Sequence, residues 1–164
     1  MTTAKSSALS VTTPSDTEIV VTRAFEAPRD LVWQAYTEPA HLRQWMGGFE
    51  GWVMTVCEME LRPGGTYHFA WRQEDGTEMV ISGEVREVDA PARLVSTESW
   101  GGDWAEAINT IDFVEENGVT TLTTTVAYPS KEARDAALAT GMTDGMSTSY
   151  DRLEALLRRL ASAG

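Results

Sequence analysis

The stretch "MELRPGGTYHFAWR", Met59 to Arg72, decides what kind of sheet this chain builds. A Pro63-Gly64-Gly65 turn leads straight into a run where Tyr67, Phe69 and Trp71 alternate with His68, Ala70 and Arg72. Successive side chains of a strand point to opposite faces, so the three rings share one face. So apolar a face must be covered by the protein's own core, by a bound molecule or by another protein.

Toward the C-terminus, Asp75-Gly76, Ala90-Pro91 and Asn117-Gly118 repeat the turn chemistry. Asp-Gly and Asn-Gly in particular suit tight hairpins. These turns separate strands expected near Gly51–Leu61, Thr66–Gln73, Met79–Val88, Arg93–Ser99, Ala105–Glu115 and Val119–Ala127. The connections are too short for parallel crossovers, which makes the arrangement an antiparallel meander. Toward the N-terminus, "TEIVVTRAFEA" (Thr17–Ala27) is β-branched and partly alternating and reads as one more strand. Pro28 and Pro39 each open a short helix, the second ended by Gly47-Gly48.

The last third changes period. Pro129-Ser130 caps "KEARDAAL", and then Met142, Met146, Ser149, Tyr150, Leu153, Leu156, Leu157 and Leu160 form a helical stripe. The sum is an α+β plan: a curved antiparallel sheet of six to seven strands, two short helices after the first strand, and a long C-terminal helix. That helix is expected to lie across the sheet, with a hollow between the two.

Bulk properties narrow the function. At 164 residues, the chain reads as one domain over 17–164 behind a loose Ser/Thr-rich tail, residues 1–16. The formal charge of -12, from 25 acidic and 13 basic residues, repels phosphate backbones and so argues against nucleic acid as a partner. No apolar run approaches the roughly 20 residues of a membrane span, and no signal-peptide core is visible. The single cysteine, Cys57, rules out an internal disulfide and fits a reducing compartment. A cytoplasmic monomer or weak homodimer is the expectation.

The chain has no Gly-rich phosphate loop, dinucleotide fingerprint, metal-ligand spacing or nucleophile elbow. No catalytic residue, metal or cofactor is therefore assigned. Six tryptophans in one small chain exceed what a modest core requires, and indoles suit half-wet apolar surfaces. Methionines in a helix stripe suit adaptable apolar binding. These features single out Trp45, Phe69, Trp71, Met79, Ile81, Trp100, Ile108, Met142, Met146 and Tyr150 as candidate walls of a ligand cavity. His68 and Glu58 are its candidate polar anchors, with Asn109 and Thr110 available according to strand parity. Ordinary core packing accounts for any one of the apolar residues equally well.

Four segments together carry a resemblance: "RAFEAPRDLVWQAYTEPAHLRQWMG", "CEMELRPGGTYHF", "DGTEMVISGEVREVDAPARLVSTESW" and "PSKEARDAALATGMTDGMSTSYDRLEALL". From about Thr17 to Leu160 the chain resembles the bacterial activator-of-heat-shock-ATPase homologues of the START/SRPBCC superfamily. The resemblance implies a helix-grip fold, a sheet gripping its last helix around a hydrophobic cavity. It also implies a lipid-like, polyketide-like or other apolar ligand. The alternatives it leaves open are binding of a chaperone or other protein, as the eukaryotic namesake does, and a cyclase- or hydrolase-like enzyme using the same cavity. In the last case His68, Glu58 or Tyr150 would do the acid–base work.

Overall fold

The turns set the topology. In the computed structural model, which describes residues 9–46, 51–102 and 104–163, the Gly65 N–H donates to the Arg62 carbonyl at 2.9 Å. Gly64 lies at φ +85°, the left-handed position a Pro-Gly type II turn requires. This turn joins β3 (Trp52–Met59) to β4 (Thr66–Gln73). The Asp75-Gly76 turn carries the chain into β5 (Glu78–Asp89), and Asn117-Gly118, both at positive φ, joins β7 (Ala107–Glu116) to β8 (Val119–Ala127). Between β5 and β7 runs β6 (Arg93–Glu98).

Among the described residues eight strands form one antiparallel sheet in the order β1-β2-β8-β7-β6-β5-β4-β3. The first strand of the expected plan is β2 (Glu18–Phe25), which crosses over to pair with β8. The count exceeds the expected six to seven because part of the expected tail is strand. Ser10–Thr12 forms β1 and pairs with Val20–Thr22. Neighbouring Leu9 packs against the core, which gives this polar stretch a reason to order.

The β5–β6 ladder is irregular around Gly83. There β5 leaves regular pairing with β6: a bulge interrupts the ladder between Val85 and Glu87, and a bridge between Ser82 and Ser99 replaces it beyond. Bulges bend the strand that carries them. The Thr97 carbonyl and the Tyr67 ring occupy the space where a Cβ on residue 83 would stand. The Tyr67 hydroxyl donates to that same carbonyl. Gly83→Ala therefore forces backbone apart there, and overpacking of this kind should destabilise by about 1–3 kcal/mol. A fall in the urea midpoint at constant m-value is the expected readout.

Two short helices, α1 (Arg29–Thr37) and α2 (Pro39–Trp45), follow β2. Glu38, extended at φ -95° and ψ 123°, separates them, because the residue before a proline is pushed out of helical conformation. The glycine pair expected to end α2 lies outside the described residues. Ser130 caps α3 (Lys131–Leu138), its hydroxyl accepting from the Ala133 N–H at 3.1 Å. The C-terminal helix, α4, runs from Met142 to Ala163.

Helix α4 is held over the β2–β8 half of the sheet. Tyr150 meets the Phe25 ring edge-on at 5.8 Å, and its hydroxyl lies 3.5 Å from that of Thr124. Leu153, Leu156 and Leu157 are buried beside it. An ion pair pins the same contact. Arg23 of β2, only 2% exposed, faces Asp151 at 2.9 Å and Glu154 at 3.1 Å, with its guanidinium 5.2 Å from the Phe25 ring centre. This is a helix-grip α+β fold. At the other end of the sheet β3 is an edge, broken by a register shift between Met54 and Val56. Arg43 of α2 reaches across to the Met54 carbonyl at 3.5 Å.

Candidate functional site

Because α4 covers β2 and β8, the β4–β7 half of the concave face needs a different lid. Helices α1 and α2 supply it through Tyr36, Leu42 and Met46. Beneath them lies a cavity of about 100 Å³. Strand alternation explains its floor. Tyr67 and Phe69 of β4 pair with Gly83 and Ile81 of β5, while Val85, Leu94 and Ile111 continue the same face across β5, β6 and β7. Met59 completes the apolar wall.

One side of the cavity is polar. Ser96 and Glu98 lie two residues apart on β6 and so on one face, and Asn109 of β7 pairs directly with Ser96. The Asn109 amide nitrogen donates to a Glu98 carboxylate oxygen at 2.7 Å, and the Trp100 indole N–H donates to the other at 3.0 Å. The Asn109 side-chain oxygen is buried and accepts no hydrogen bond among the described residues.

Tyrosines dominate the electrostatics. Burial pushes the Tyr36 phenol well up, with Tyr150 and then more distant charges adding to the effect. Burial likewise raises Tyr150 and Tyr67, the second helped by the Glu98 carboxylate. Tyr128 is pushed up to about 12 by burial and, secondarily, by Glu98. All four stay neutral at physiological pH and act as hydroxyl groups rather than phenolates.

Of the residues singled out from sequence, Phe69, Ile81 and the parity-dependent polar candidate Asn109 line this cavity. The others lie elsewhere. Trp45 and Trp71 are buried core residues, their indoles donating to the Ala35 carbonyl at 2.9 Å and the Met46 carbonyl at 2.7 Å. Met79, Met142 and Met146 are half-buried against the core, and Tyr150 is fully packed beneath α4. Trp100 is 40% exposed, although its bond to Glu98 ties it to the polar wall. Ile108 is 43% exposed because its neighbour Asn109 takes the inward position. His68 and Glu58 are cross-strand partners on the exposed face of β3 and β4, so neither anchors anything in the cavity. A larger depression of about 560 Å³ lies on that exposed face among Trp52, Val53, Thr55 and Arg72, open to solvent.

Sequence reasoning missed the lid. The spacing of Leu42 and Met46 was available as a signal. Glu98 had no local signal. Among the described residues no cluster of three or more His, Cys, Asp or Glu side chains is placed to hold a metal, and no helix is long and apolar enough to cross a membrane.

The comparisons with known proteins agree with this architecture. A crystal structure of a Rhodobacter sphaeroides protein is 31% identical with a TM-score of 0.86, over 93% of this chain and 99% of that one. One from Mycobacterium smegmatis is 28% identical with a TM-score of 0.81, over 92% and 97%. An AHSA1-like protein from Aeromonas hydrophila, solved by solution NMR, shares the fold at 21% identity and a TM-score of 0.70, over 85% and 93%. Curated proteins yield no match. The family model described as "Activator of Hsp90 ATPase homolog 1-like protein" matches residues 26–158, from the end of β2 to the last turns of α4, and the chain belongs to that family.

Proposed function

We propose that this protein binds a small, largely apolar molecule in the cavity between the concave sheet and helices α1 and α2. The observation that carries this reading is the cavity itself, walled by Leu42, Phe69, Ile81, Val85, Leu94 and Ile111. Apolar walls with a few convergent polar groups are the usual form of a small-molecule site. Its volume of about 100 Å³ suits a single ring. An apolar cavity of about 150 Å³ accepts benzene, whereas drug-sized ligands occupy roughly 300–1,000 Å³. A lipid or polyketide enters only if Met46 and Met59 swing aside, a movement that methionine side chains make readily.

Burying roughly 150 Å² of ring surface is worth about 4 kcal/mol at ~25 cal/mol/Å² before association costs. A bare hydrocarbon ring should therefore bind in the millimolar range or weaker. Toluene titrated into labelled protein should shift the methyl resonances of Ile81, Leu94 and Ile111 together. Ile81→Trp fills the space and should abolish those shifts while circular dichroism stays native. Met146→Trp, outside the cavity wall, should leave them unchanged. Shifts scattered over the surface, or retained in folded Ile81→Trp protein, would overturn the proposal.

A second reading, protein binding, is favoured by Trp100 and Trp104. These indoles are 40% and 49% exposed on the connection between β6 and β7. With a net charge of -12, a basic partner would be captured at low salt and released at high salt. Recovery of no chaperone middle domain in a low-salt pull-down would remove this reading.

A further inference from the structure

The polar wall of the cavity has an excess of one kind of hydrogen-bonding group. Most of its donors are engaged. The Tyr67 hydroxyl donates to the Thr97 carbonyl, and the Asn109 amide nitrogen donates to Glu98. Tyr36 is engaged with Tyr150, their hydroxyls 3.4 Å apart.

Acceptors are left over. Because the Glu98 carboxylate can only accept from it at 2.7 Å, the Asn109 side chain is held with its nitrogen toward Glu98. Its carbonyl oxygen is thereby fixed away from that bond, shielded from solvent and without a hydrogen-bond partner among the described residues. Each Glu98 oxygen accepts one bond, from Asn109 or Trp100, and each has a lone pair to spare. Among the described residues no lysine, arginine or histidine lines the cavity. A buried acceptor with no donor is costly, and proteins rarely leave one unless something else satisfies it.

Building on the cavity-binding reading, we propose that the ligand carries a hydrogen-bond donor, a hydroxyl or an N–H, on an otherwise apolar ring-sized body. That donor pairs with Asn109 Oδ1 beside the Glu98 carboxylate. Anionic molecules are excluded. A carboxylate placed there would face two acceptors and a like charge with no cation to balance it. The site therefore selects alcohols, phenols and amines over the fatty acids that a generic apolar pocket admits.

Phenol and toluene test this directly, because they share a shape and differ by the donor. The full-length protein is titrated with each, and with benzoate, by following the Ile81 and Ile111 methyl resonances. In Asn109→Leu, phenol should weaken about tenfold, the size expected for one lost hydrogen bond to a charge-polarised acceptor, while toluene holds its affinity. Benzoate should not bind the wild type. Glu98→Gln, at a half-buried position of the wall, should also weaken phenol without weakening toluene.

Equal responses of phenol and toluene to both variants would overturn the donor requirement and leave the cavity reading standing. So would wild-type protein binding benzoate as tightly as phenol. Failure of toluene and phenol alike to perturb the cavity methyls of the wild type would overturn the cavity reading itself, and this inference with it.

Discussion

Removing Asp151 and Glu154 together should destabilise the protein by about 3–5 kcal/mol, because it strands a buried charge. Arg23 is only 2% exposed, and these two carboxylates, at 2.9 Å and 3.1 Å, are its ion-pair partners. The carboxylates themselves are different. Asp151 is 70% exposed and Glu154 21%, so without Arg23 they turn to water at little cost. Arg23→Met should consequently be milder than the double variant Asp151→Ala/Glu154→Ala, since a methionine fills the space over Phe25 without needing a partner. Denaturant midpoints at constant m-value decide the order. A costlier Arg23→Met would mean that the attraction itself, rather than the penalty of burying a lone charge, holds α4 to β2.

Trp45→Ala should be comparably damaging, at about 3–5 kcal/mol, for a different reason. The ring is 2% exposed and lies against Tyr36 at 5.0 Å and Tyr150 at 5.9 Å, where α1, α2 and α4 meet. Its indole also satisfies the Ala35 carbonyl. Truncation empties a large volume beside Tyr36, a wall of the cavity, and leaves that carbonyl unpaired. Trp45→Phe should recover more than half of the loss by restoring ring contacts without the hydrogen bond. Thermal unfolding of the three proteins measures this. A loss below 1 kcal/mol in Trp45→Ala would show that the helices close over the gap.

How much of this was legible in the sequence differs between fold and site. Thr66–Gln73 and Val119–Ala127 match the observed strands residue for residue, because a glycine-containing turn directly precedes each. The C-terminal stripe is equally direct, since one period of 3.6 runs through it. The site was less legible. Alternation shows which residues share a face, but a curved sheet has only one concave side, and covering elements divide it. Nothing in Met142 or Met146 says that α4 covers β2 and β8 rather than β4 and β5. The cavity went to the half that the short helices cover. His68 and Glu58 show the same limit from the other direction. His68 sits between aromatic residues in sequence and Glu58 between Cys57 and Met59, and the pleat sends both outward. Asn109 and Ile108 are adjacent, and only their parity with Ile111 separates wall from surface.

The irregularity of β3 has a consequence beyond the cavity. An open sheet has two unpaired margins, and each is a template on which another chain can extend the ladder. Here one margin is the three-residue β1, too short to recruit a partner securely. The other is interrupted at Met54 and Val56, with Arg43 lying over the Met54 carbonyl. Straightening that strand by deleting Thr55 would present a continuous row of free amides and carbonyls to neighbouring molecules, and fibrillar association would replace solubility as the concentration rises.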